Sequence, residues 1–276
     1  MRGFFRIVLS GALCVAAGAP PSGAGPPPDL DKLRAEAAQR PGDAAAHFGL
    51  GIALPLPERK QEALDHLEKA IALDPGSVKY GNEYRKTCVR VKEYDRSIAF
   101  FEKQVAARPD VRALHLNLAL AYVDKMPFPA LGIVGQGILS NRSIGELNKV
   151  LAMEPGSWAA MYGRAMNHLH WPKVLRHAPQ AVEDFKSCLK LQAEIPKEKL
   201  RPHHLLPYLG LGDAYVKNDQ LAEARSVWKE AQKLFPSDSR LAHRLTLDDA
   251  DLRKLVDEER GLARPIDTDL SFLWSS

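Results

Sequence analysis

Apolar and small residues recur along this chain at a spacing of about 34 positions. Each copy has a large residue beside a small one, then an apolar or aromatic residue, then two alanines around a large residue, and finally a proline. The clearest copies are Leu50, Gly51, Leu54, Ala63, Leu67, Ala70 and Pro75, and Leu211, Gly212, Tyr215, Ala224, Trp228, Ala231 and Pro236. Positions three, four and seven apart share one face of a helix, so each copy predicts two packed amphipathic helices.

Weaker copies lie between these two, and their spacing is uneven. The small residue of the second helix recurs at Ala63, Ser97, Ser143, Ala181 and Ala224. The extra residues fall in 126–143, near 170–179 and in 191–204. A helical array closes without such insertions, so we expect them to be loops. Inserted loops often lie on the binding face of an array, but they also drift without function, and both alternatives stay open.

Two stretches make a family resemblance specific. EALDHLEKAIALDPGS at 62–77 and LGLGDAYVKNDQLAEARSVWKEAQKLFP at 209–236 resemble tetratricopeptide repeats (TPR) in the order of their large, small, aromatic and proline residues. The resemblance covers about 29–246, with departures at Arg85, Gln104 and Arg164. It implies an all-α, right-handed solenoid of about five helix-turn-helix repeats with helical caps, acting as a non-catalytic protein- or peptide-binding scaffold.

The repeat spacing also predicts where the units begin and end. Asp29 and Asp43 precede helical patterns and are suited to cap them, because an aspartate side chain accepts hydrogen bonds from the first backbone N–H groups of a helix. The predicted units are a half-repeat at 29–42, repeats at 43–76, 77–110, 111–156, 157–195 and 203–237, together a solenoid of 29–246, and a C-terminal capping helix and tail at 247–276.

The first 24 residues have the order of a secretory signal peptide. Two arginines precede an apolar run at 7–19, and small residues follow. A membrane anchor is the alternative, but a span needs roughly 20 apolar residues and this run is shorter. We therefore expect cleavage after Ala19 or Ala24, a Pro/Gly-rich linker at 25–28, and a bacterial protein exported to the periplasm or the medium without a stable membrane anchor.

Charge narrows the class of partner. The chain has 38 Lys and Arg against 34 Asp and Glu, a net charge of +4. Loss of the two arginines in the predicted signal would leave +2. None of the repeats shows the clustered basic face that phosphate backbones need, so we do not expect nucleic acid as a partner.

Two cysteines remain after the predicted signal, and the repeat register places both in the core. Cys88 stands where Leu54 stands in its repeat, and Cys188 where Ala70 stands. The two positions are two repeats apart, and packed helices lie about 8–10 Å from each other, whereas a disulfide needs Cα atoms within about 7 Å. We expect buried free thiols.

The resemblance implies a concave groove lined by the first helix of each repeat. Lys79, Asn82, Lys86 and Arg90 are spaced three, four and four, so they share one helix face that could bind a carboxylate or an acidic peptide. A solvated basic face without a ligand is the alternative. The other predicted groove positions are Phe48, Ile52, Leu116, Leu120, Asp124, Tyr162, Met166, His170, Leu209, Asp213 and Lys217.

Histidines are dense between 168 and 204, where a metal site is conceivable because imidazole is the commonest metal ligand. His168 and His170 are two positions apart on a helix and therefore diverge, whereas helical ligand pairs are three or four apart. We expect no metal, no cofactor and no catalytic residues. The alternative is an accessory subunit of an exported enzyme or cofactor-assembly system, with this region contacting metal.

Two further segments stand out. The segment 161–185 is rich in Tyr, Trp, His, Asn and Arg, which predicts specialised packing between the fourth repeat and the long insertion of the third. The tail, 266–276, contains Leu270, Phe272, Leu273 and Trp274. It could dock onto the last repeat of its own chain or contact a partner.

Overall fold

The computed structural model describes residues 29–261 and 264–274, and all regular structure in these ranges is helical. The helices are α1 (Leu30–Gln39), α2 (Ala44–Ala53), α3 (Lys60–Leu73), α4 (Val78–Val91), α5 (Tyr94–Ala107), α6 (Arg112–Lys125), α7 (Gly132–Met153), α8 (Trp158–Leu169), α9 (Ala178–Gln192), α10 (Leu206–Lys217), α11 (Leu221–Leu234), α12 (Ser239–Thr246) and α13 (Asp249–Glu259). Short 3-10 helices cover Pro129–Leu131, Lys173–Leu175, Lys197–Lys199, Pro202–Leu205 and Ser271–Leu273. The all-α prediction is confirmed; the predicted signal and linker, 1–28, lie outside the described residues.

Local sequence explains where the helices begin and end. The Asp29 carboxylate accepts a hydrogen bond from the Lys32 N–H, and the Asp43 carboxylate accepts from two N–H groups of α2, which confirms both predicted caps. α4 ends at Lys92, whose φ of 60° is left-handed and lets the Glu93 N–H reach back to the Cys88 carbonyl at 2.8 Å. This turn leads directly into α5.

The helices form five antiparallel pairs after α1. The first helices of the pairs are α2, α4, α6, α8 and α10, and the second helices are α3, α5, α7, α9 and α11. Each second helix packs against the first helix of the next pair. From α4 onward, the first helices also contact one another, so they form a continuous inner face. This is the arrangement of a TPR-type solenoid.

Small residues hold the two helices of a pair together closely. Ala63, Ser97, Ser143, Ala181 and Ala224 are all buried, in agreement with the predicted register. At Gly51 an added Cβ would lie 3.1 Å from the Ala63 carbonyl oxygen and 2.8 Å from the Leu67 side chain. The contact therefore leaves no room for a larger side chain on the first helix.

The insertion at 126–143 is not the loop that the spacing predicts. It forms the short 3-10 helix and the first turns of α7, which is 22 residues long. These turns pack against the end of α8 and the segment that follows it, as predicted for 161–185. The Trp171 indole donates to Ser140 Oγ at 2.8 Å, and Ser140 Oγ donates to Asn167 Oδ1 at 2.6 Å. The inserted residues extend α7 at its N-terminal end. Their backbone N–H and C=O groups, which need hydrogen-bond partners, find them within this helix.

The last two helices close the end of the array around a buried carboxylate. Asp213 on α10 has no exposed surface and accepts hydrogen bonds from Arg244 on α12 and from Arg260 just after α13. Lys217 is also buried and donates to three backbone carbonyl oxygens, those of Leu169, Trp171 and Arg260. These contacts fix α12 and α13 over α10. The sequence predicts that Asp213 and Lys217 are exposed in the groove, whereas in the structure both are buried.

Within the described residues, the cysteines Cys88 and Cys188 are free and buried, as expected. Burial raises the pKa of the Cys88 thiol to about 12, and it also raises the pKa of the Cys188 thiol. Neither thiol is therefore ionised near neutral pH, and neither is a nucleophile there. In the described part of the chain, no helix combines the length and apolarity needed to span a bilayer.

Candidate peptide-binding groove

The inner face of α4, α6 and α8 is occupied by the chain's own tail, defined here as residues 264–274. From Pro265 to Leu270 the tail has no regular secondary structure. Its beginning lies beside the C-terminal ends of α4 and α6, and its end reaches Trp158 at the start of α8. The tail therefore runs antiparallel to the helices that line the groove. The tail docks onto its own chain, which was one of the two interpretations of the sequence, but it lies mainly along the second to fourth repeats. It meets the last predicted repeat, 203–237, where Phe272 stacks on His203 and where Ile266 packs in a cluster with Leu211 and Ala214.

Asn82 and Arg85 bind the backbone of the tail. The Leu270 N–H donates to Asn82 Oδ1 at 2.9 Å, and Arg85 Nη2 donates to the Thr268 carbonyl oxygen at 2.8 Å. The two contacts flank Asp269, so one N–H and one C=O of adjacent peptide units are both satisfied. Contacts of this kind recognise a peptide backbone whatever its side chains are.

Asp269 supplies the charge complementarity. Its carboxylate accepts from Asn82 Nδ2 at 2.9 Å and pairs with Lys86 Nζ at 3.0 Å. Burial raises the pKa of the Asp269 carboxyl, but hydrogen bonds from Asn82, Ser271 and Lys86 outweigh that effect and hold the pKa at about 2. The carboxylate is thus fully ionised near neutral pH.

Arg85 is buried and held by residues of α6. Its Nη1 pairs with Asp124 at 2.8 Å, and its Nε donates to Asn117 Oδ1 at 3.1 Å. Asp124 also accepts from the Thr268 hydroxyl. A buried guanidinium is costly unless its N–H groups are satisfied, so this network fixes Arg85 in the orientation that contacts the tail.

A close approach of α4 and α6 makes room for this network. A Cβ added at Gly81 would lie 2.3 Å from Asn117 Nδ2. Glycine at this position therefore lets Asn117 reach between the two helices, where its Nδ2 donates to the Ala113 carbonyl while its Oδ1 accepts from Arg85.

Apolar side chains of the tail pack against the apolar part of the groove. Leu270 is 4% exposed and packs in a cluster with Leu116, Leu120 and Ala159. Phe272 stacks on the His203 ring at 4.7 Å and meets the Trp158 ring edge to face at 5.7 Å. A cavity of about 310 Å³ remains beside the tail; Tyr162 and Met166 line it together with residues of α10, α12 and the stretch after α13.

Some of the predicted groove residues contact the tail, whereas others are exposed away from it or buried in the fold. Asn82 and Lys86 contact the tail, and Leu116 and Leu120 pack against it. Lys79 is exposed and lies 5.5 Å from the centre of the Phe48 ring, and Arg90 is exposed at the end of α4. His170 is buried, and its Nδ1–H donates to the Met166 carbonyl at 2.8 Å.

The sequence interpretation missed the two residues that complete the polar site. Arg85 was noted only because it replaces a small residue, and Asn117 was not singled out. That replacement was the available signal, since a long cation at a packing position needs buried partners. Trp158 was also missed, because its ring serves the tail rather than the repeat pattern.

The histidines of 168–204 lie in three separate places. His168 and His177 approach each other with their Nδ1 atoms 3.0 Å apart, so one of the two must accept and be neutral. Burial, with a contribution from His177, lowers the pKa of His168 to about 4. Within the described ranges no three His, Cys, Asp or Glu residues are placed to hold a metal ion.

Comparison with known proteins supports the TPR-type fold. A family model described as a tetratricopeptide repeat matches residues 30–78, from α1 to the start of α4. TTC0263, a TPR protein of Thermus thermophilus, is 19% identical in sequence and has a similar structure, with a TM-score of 0.50 over 74% of this chain and 97% of that one. The fold of the chain is thus that of a TPR-type solenoid, and its residues 30–78 match the tetratricopeptide repeat family.

Other solved structures are similar at lower scores. YrrB, a TPR protein described as having an unusual peptide-binding site, is 15% identical with a TM-score of 0.49 over 79% of this chain and all of that one. MamA is 15% identical with a TM-score of 0.47 over 74% of this chain and 96% of that one. No curated protein matches the sequence.

Proposed function

We propose that this protein is a non-catalytic scaffold that binds peptide segments of partner proteins along the inner face of α4, α6 and α8. The observation that carries the proposal is the pair of backbone contacts to the tail, from Asn82 to the Leu270 N–H and from Arg85 to the Thr268 carbonyl. A face that satisfies the backbone of one extended segment is chemically suited to another. Fold alone would not support this, because TPR-type solenoids share architecture rather than ligands.

The charge of the groove supports an acidic partner. Lys79, Lys86 and Arg90 lie on α4, and Lys86 already pairs with a carboxylate. Charge-assisted hydrogen bonds of this kind are stronger than neutral ones, and they also speed the encounter with a partner of opposite charge.

The chemistry of the titratable side chains supports a role without catalysis. Both described thiols are buried with raised pKa values, and burial lowers the pKa of His170 to about 3, so that it is neutral and already hydrogen-bonded to a carbonyl. A general base must reach a proton on a substrate, which a buried and fully engaged imidazole does not do.

The insertion at 126–143 is part of the proposed binding surface. On the first turns of α7, Ile133 and Val134 are more than 70% exposed, and Ile138 is half exposed. Exposed apolar patches on otherwise soluble folds often mark contact sites for other proteins. This surface would add apolar area to a partner already held by its peptide segment.

Affinity capture with matched charge reversals tests the proposal. The bait is the chain without residues 1–24, and captured proteins are identified by mass spectrometry. We expect Lys86→Glu with Arg90→Glu to abolish capture, and added salt to weaken it, because exposed charge pairs are screened. The control is Lys69→Glu with Lys103→Glu, which reverses two exposed lysines of the second helices α3 and α5. Equal capture by the two double variants would place binding outside the groove.

Export is a separate part of the proposal. The order of basic, apolar and small residues in the first 24 positions supports a cleaved signal and a role in the periplasm or outside the cell. N-terminal sequencing of the protein from its host should begin near Gly25 or Pro20. Recovery of the intact Met1 form from the membrane fraction would refute cleavage.

A further inference from the structure

The tail occupies the groove as a ligand would, through contacts of three kinds. Its backbone is bound by Asn82 and Arg85, its carboxylate by Lys86, and its Leu270 side chain by an apolar cluster. The polar contacts of the tail with α4 and α6 join positions 144 to 188 residues apart in the chain. They are therefore not a consequence of how neighbouring repeats stack.

We propose that the tail is an internal ligand of the groove, and that the partner is a peptide segment with the same chemistry. Such a segment has an aspartate followed by leucine and, two positions after the leucine, an aromatic residue. It lies in the direction of the tail, antiparallel to the first helices, and displaces residues 264–274. This inference rests on the proposed function and specifies its ligand.

The order of the side chains follows from the order of the subsites. The Asp269 position faces Lys86, with Arg85 nearby, so a basic residue there would be repelled. The next position is enclosed by the apolar cluster, where Leu270 is almost completely buried. A polar side chain there would lose its hydration without gaining a partner.

The third subsite is formed by two aromatic rings that also contact each other. Phe272 stacks on the His203 ring and meets the Trp158 ring edge to face. Pairs of this geometry add to simple burial, which favours Phe, Tyr or Trp over an aliphatic residue. Leu273, which follows, is 46% exposed and is not part of the motif.

The tail is held well enough to block the groove and weakly enough to be displaced. Its ion pair is partly exposed, at 34% for Asp269 and 36% for Lys86, and such pairs contribute little on their own. What favours the tail is its attachment to the chain. A tethered segment competes at an effective concentration on the order of 1 mM, so a free peptide with a Kd of about 10 μM would bind the intact chain roughly 100-fold more weakly than an open groove.

Binding of a synthetic peptide to full-length variants tests the proposal. The probe is a fluorescent peptide of residues 264–274, and its control carries lysine in place of Asp269. The open variant combines Asp269→Ala, Leu270→Ala and Phe272→Ala in the full chain, and Leu273→Ala is the matched control. We expect the probe to bind the open variant at least tenfold more tightly than it binds the parent or Leu273→Ala. The lysine peptide should bind none of these three proteins.

A groove-side change and the molecular mass complete the test. Adding Asn82→Ala to the open variant should abolish probe binding while circular dichroism stays helical. If the triple variant does not fold, Phe272→Ala alone should still raise probe affinity. Failure of a folded open variant to bind the probe would overturn the proposal. A parent chain that is a dimer in solution, reverting to a monomer in the open variant, would also overturn it, because the tail would then bind a second copy.

These outcomes separate the inference from the proposed function. If the open variant captures partner proteins through the groove but does not bind the probe, the scaffold function stands and the internal ligand is rejected. If it binds the probe but captures nothing, the motif preference is supported and the result counts against the scaffold function.

Discussion

Removal of the Asp213 carboxylate should destabilise the C-terminal end of the array strongly. Asp213 is completely buried, and its two oxygens accept hydrogen bonds from Arg244 and Arg260 at 2.8–3.0 Å. Burial raises the pKa of the Asp213 carboxyl, but the two arginines outweigh burial and lower it. Asp213→Ala would leave the guanidinium of Arg244, itself 2% exposed, without its main counter-charge.

The magnitude follows from the burial of the pair. Removing one partner of a buried ion pair costs about 3–5 kcal/mol, because the other charge stays desolvated. For a chain of this size each kcal/mol lowers Tm by about 2–4 °C, so the expected shift is roughly 6–20 °C. The matched control is Asp249→Ala, which removes an exposed partner of Arg225 and should cost no more than about 1 kcal/mol.

Thermal melts followed by circular dichroism measure the global effect, and hydrogen exchange locates it. Protection should fall first in α12 and α13, because the network joins them to α10. The effect of acid follows from the lowered pKa of the Asp213 carboxyl. Its ionised form stabilises the fold at any pH above the pKa that it has in the unfolded chain, and this contribution is lost as the pH falls through its pKa in the folded chain. A Tm of Asp213→Ala within about 2 °C of the parent would refute this account of the cap.

Three further predictions concern packing, turns and pH. Gly212→Ala would place a Cβ 2.1 Å from the Trp228 ring nitrogen and should lower the free energy of unfolding by about 1–3 kcal/mol in denaturant melts. Gly145 has open space around it, so Gly145→Ala should raise the free energy of unfolding by about 0.5–1 kcal/mol. Equal effects of the two substitutions would contradict the packing argument. Lys92→Gly relieves a left-handed residue at the end of α4 and should stabilise by about 0.5–1 kcal/mol, and a lower denaturation midpoint would contradict this. Burial lowers the pKa of His170 to about 3, so stability should fall as pH drops from about 6.5 towards 3; His170→Asn should flatten that dependence in pH-dependent melts, and an unchanged slope would show that other groups are responsible.

The repeat pattern predicted the parts of the fold that depend on neighbouring residues. Ala63 and Ala224 mark contacts between helices of one pair, and such contacts follow from helical periodicity alone. The insertion at 126–143 was wrongly predicted to be a loop, because the repeat pattern closes without it and so gives it no packing role. In the folded chain Trp171 and Ser140 hold that segment as an extension of α7.

The sequence predicted the residues that α4 contributes to the candidate site, but not those that the tail contributes. The spacing of Asn82 and Lys86 placed them on one face of α4, and both contact the tail. Nothing in the periodicity shows that Asp269, 187 residues after Asn82, would lie against them. Asp213 is a case in which the repeat pattern predicts exposure and the structure shows burial. It lies at a groove position of its repeat, but it is covered by α12 and α13, which do not follow the repeat pattern.

The return of the tail to α4 changes how the array unfolds. In a simple solenoid each repeat touches only its neighbours, so stability is a sum of local terms and the ends can fray independently. Here the tail bridges α4, α6 and α8 at once, which couples repeats that are not adjacent. Opening of α4 and opening of α8 should therefore occur together in native-state hydrogen exchange, and they should separate once the tail is displaced. The cooperativity of the array thus reports whether the groove is occupied by its own chain.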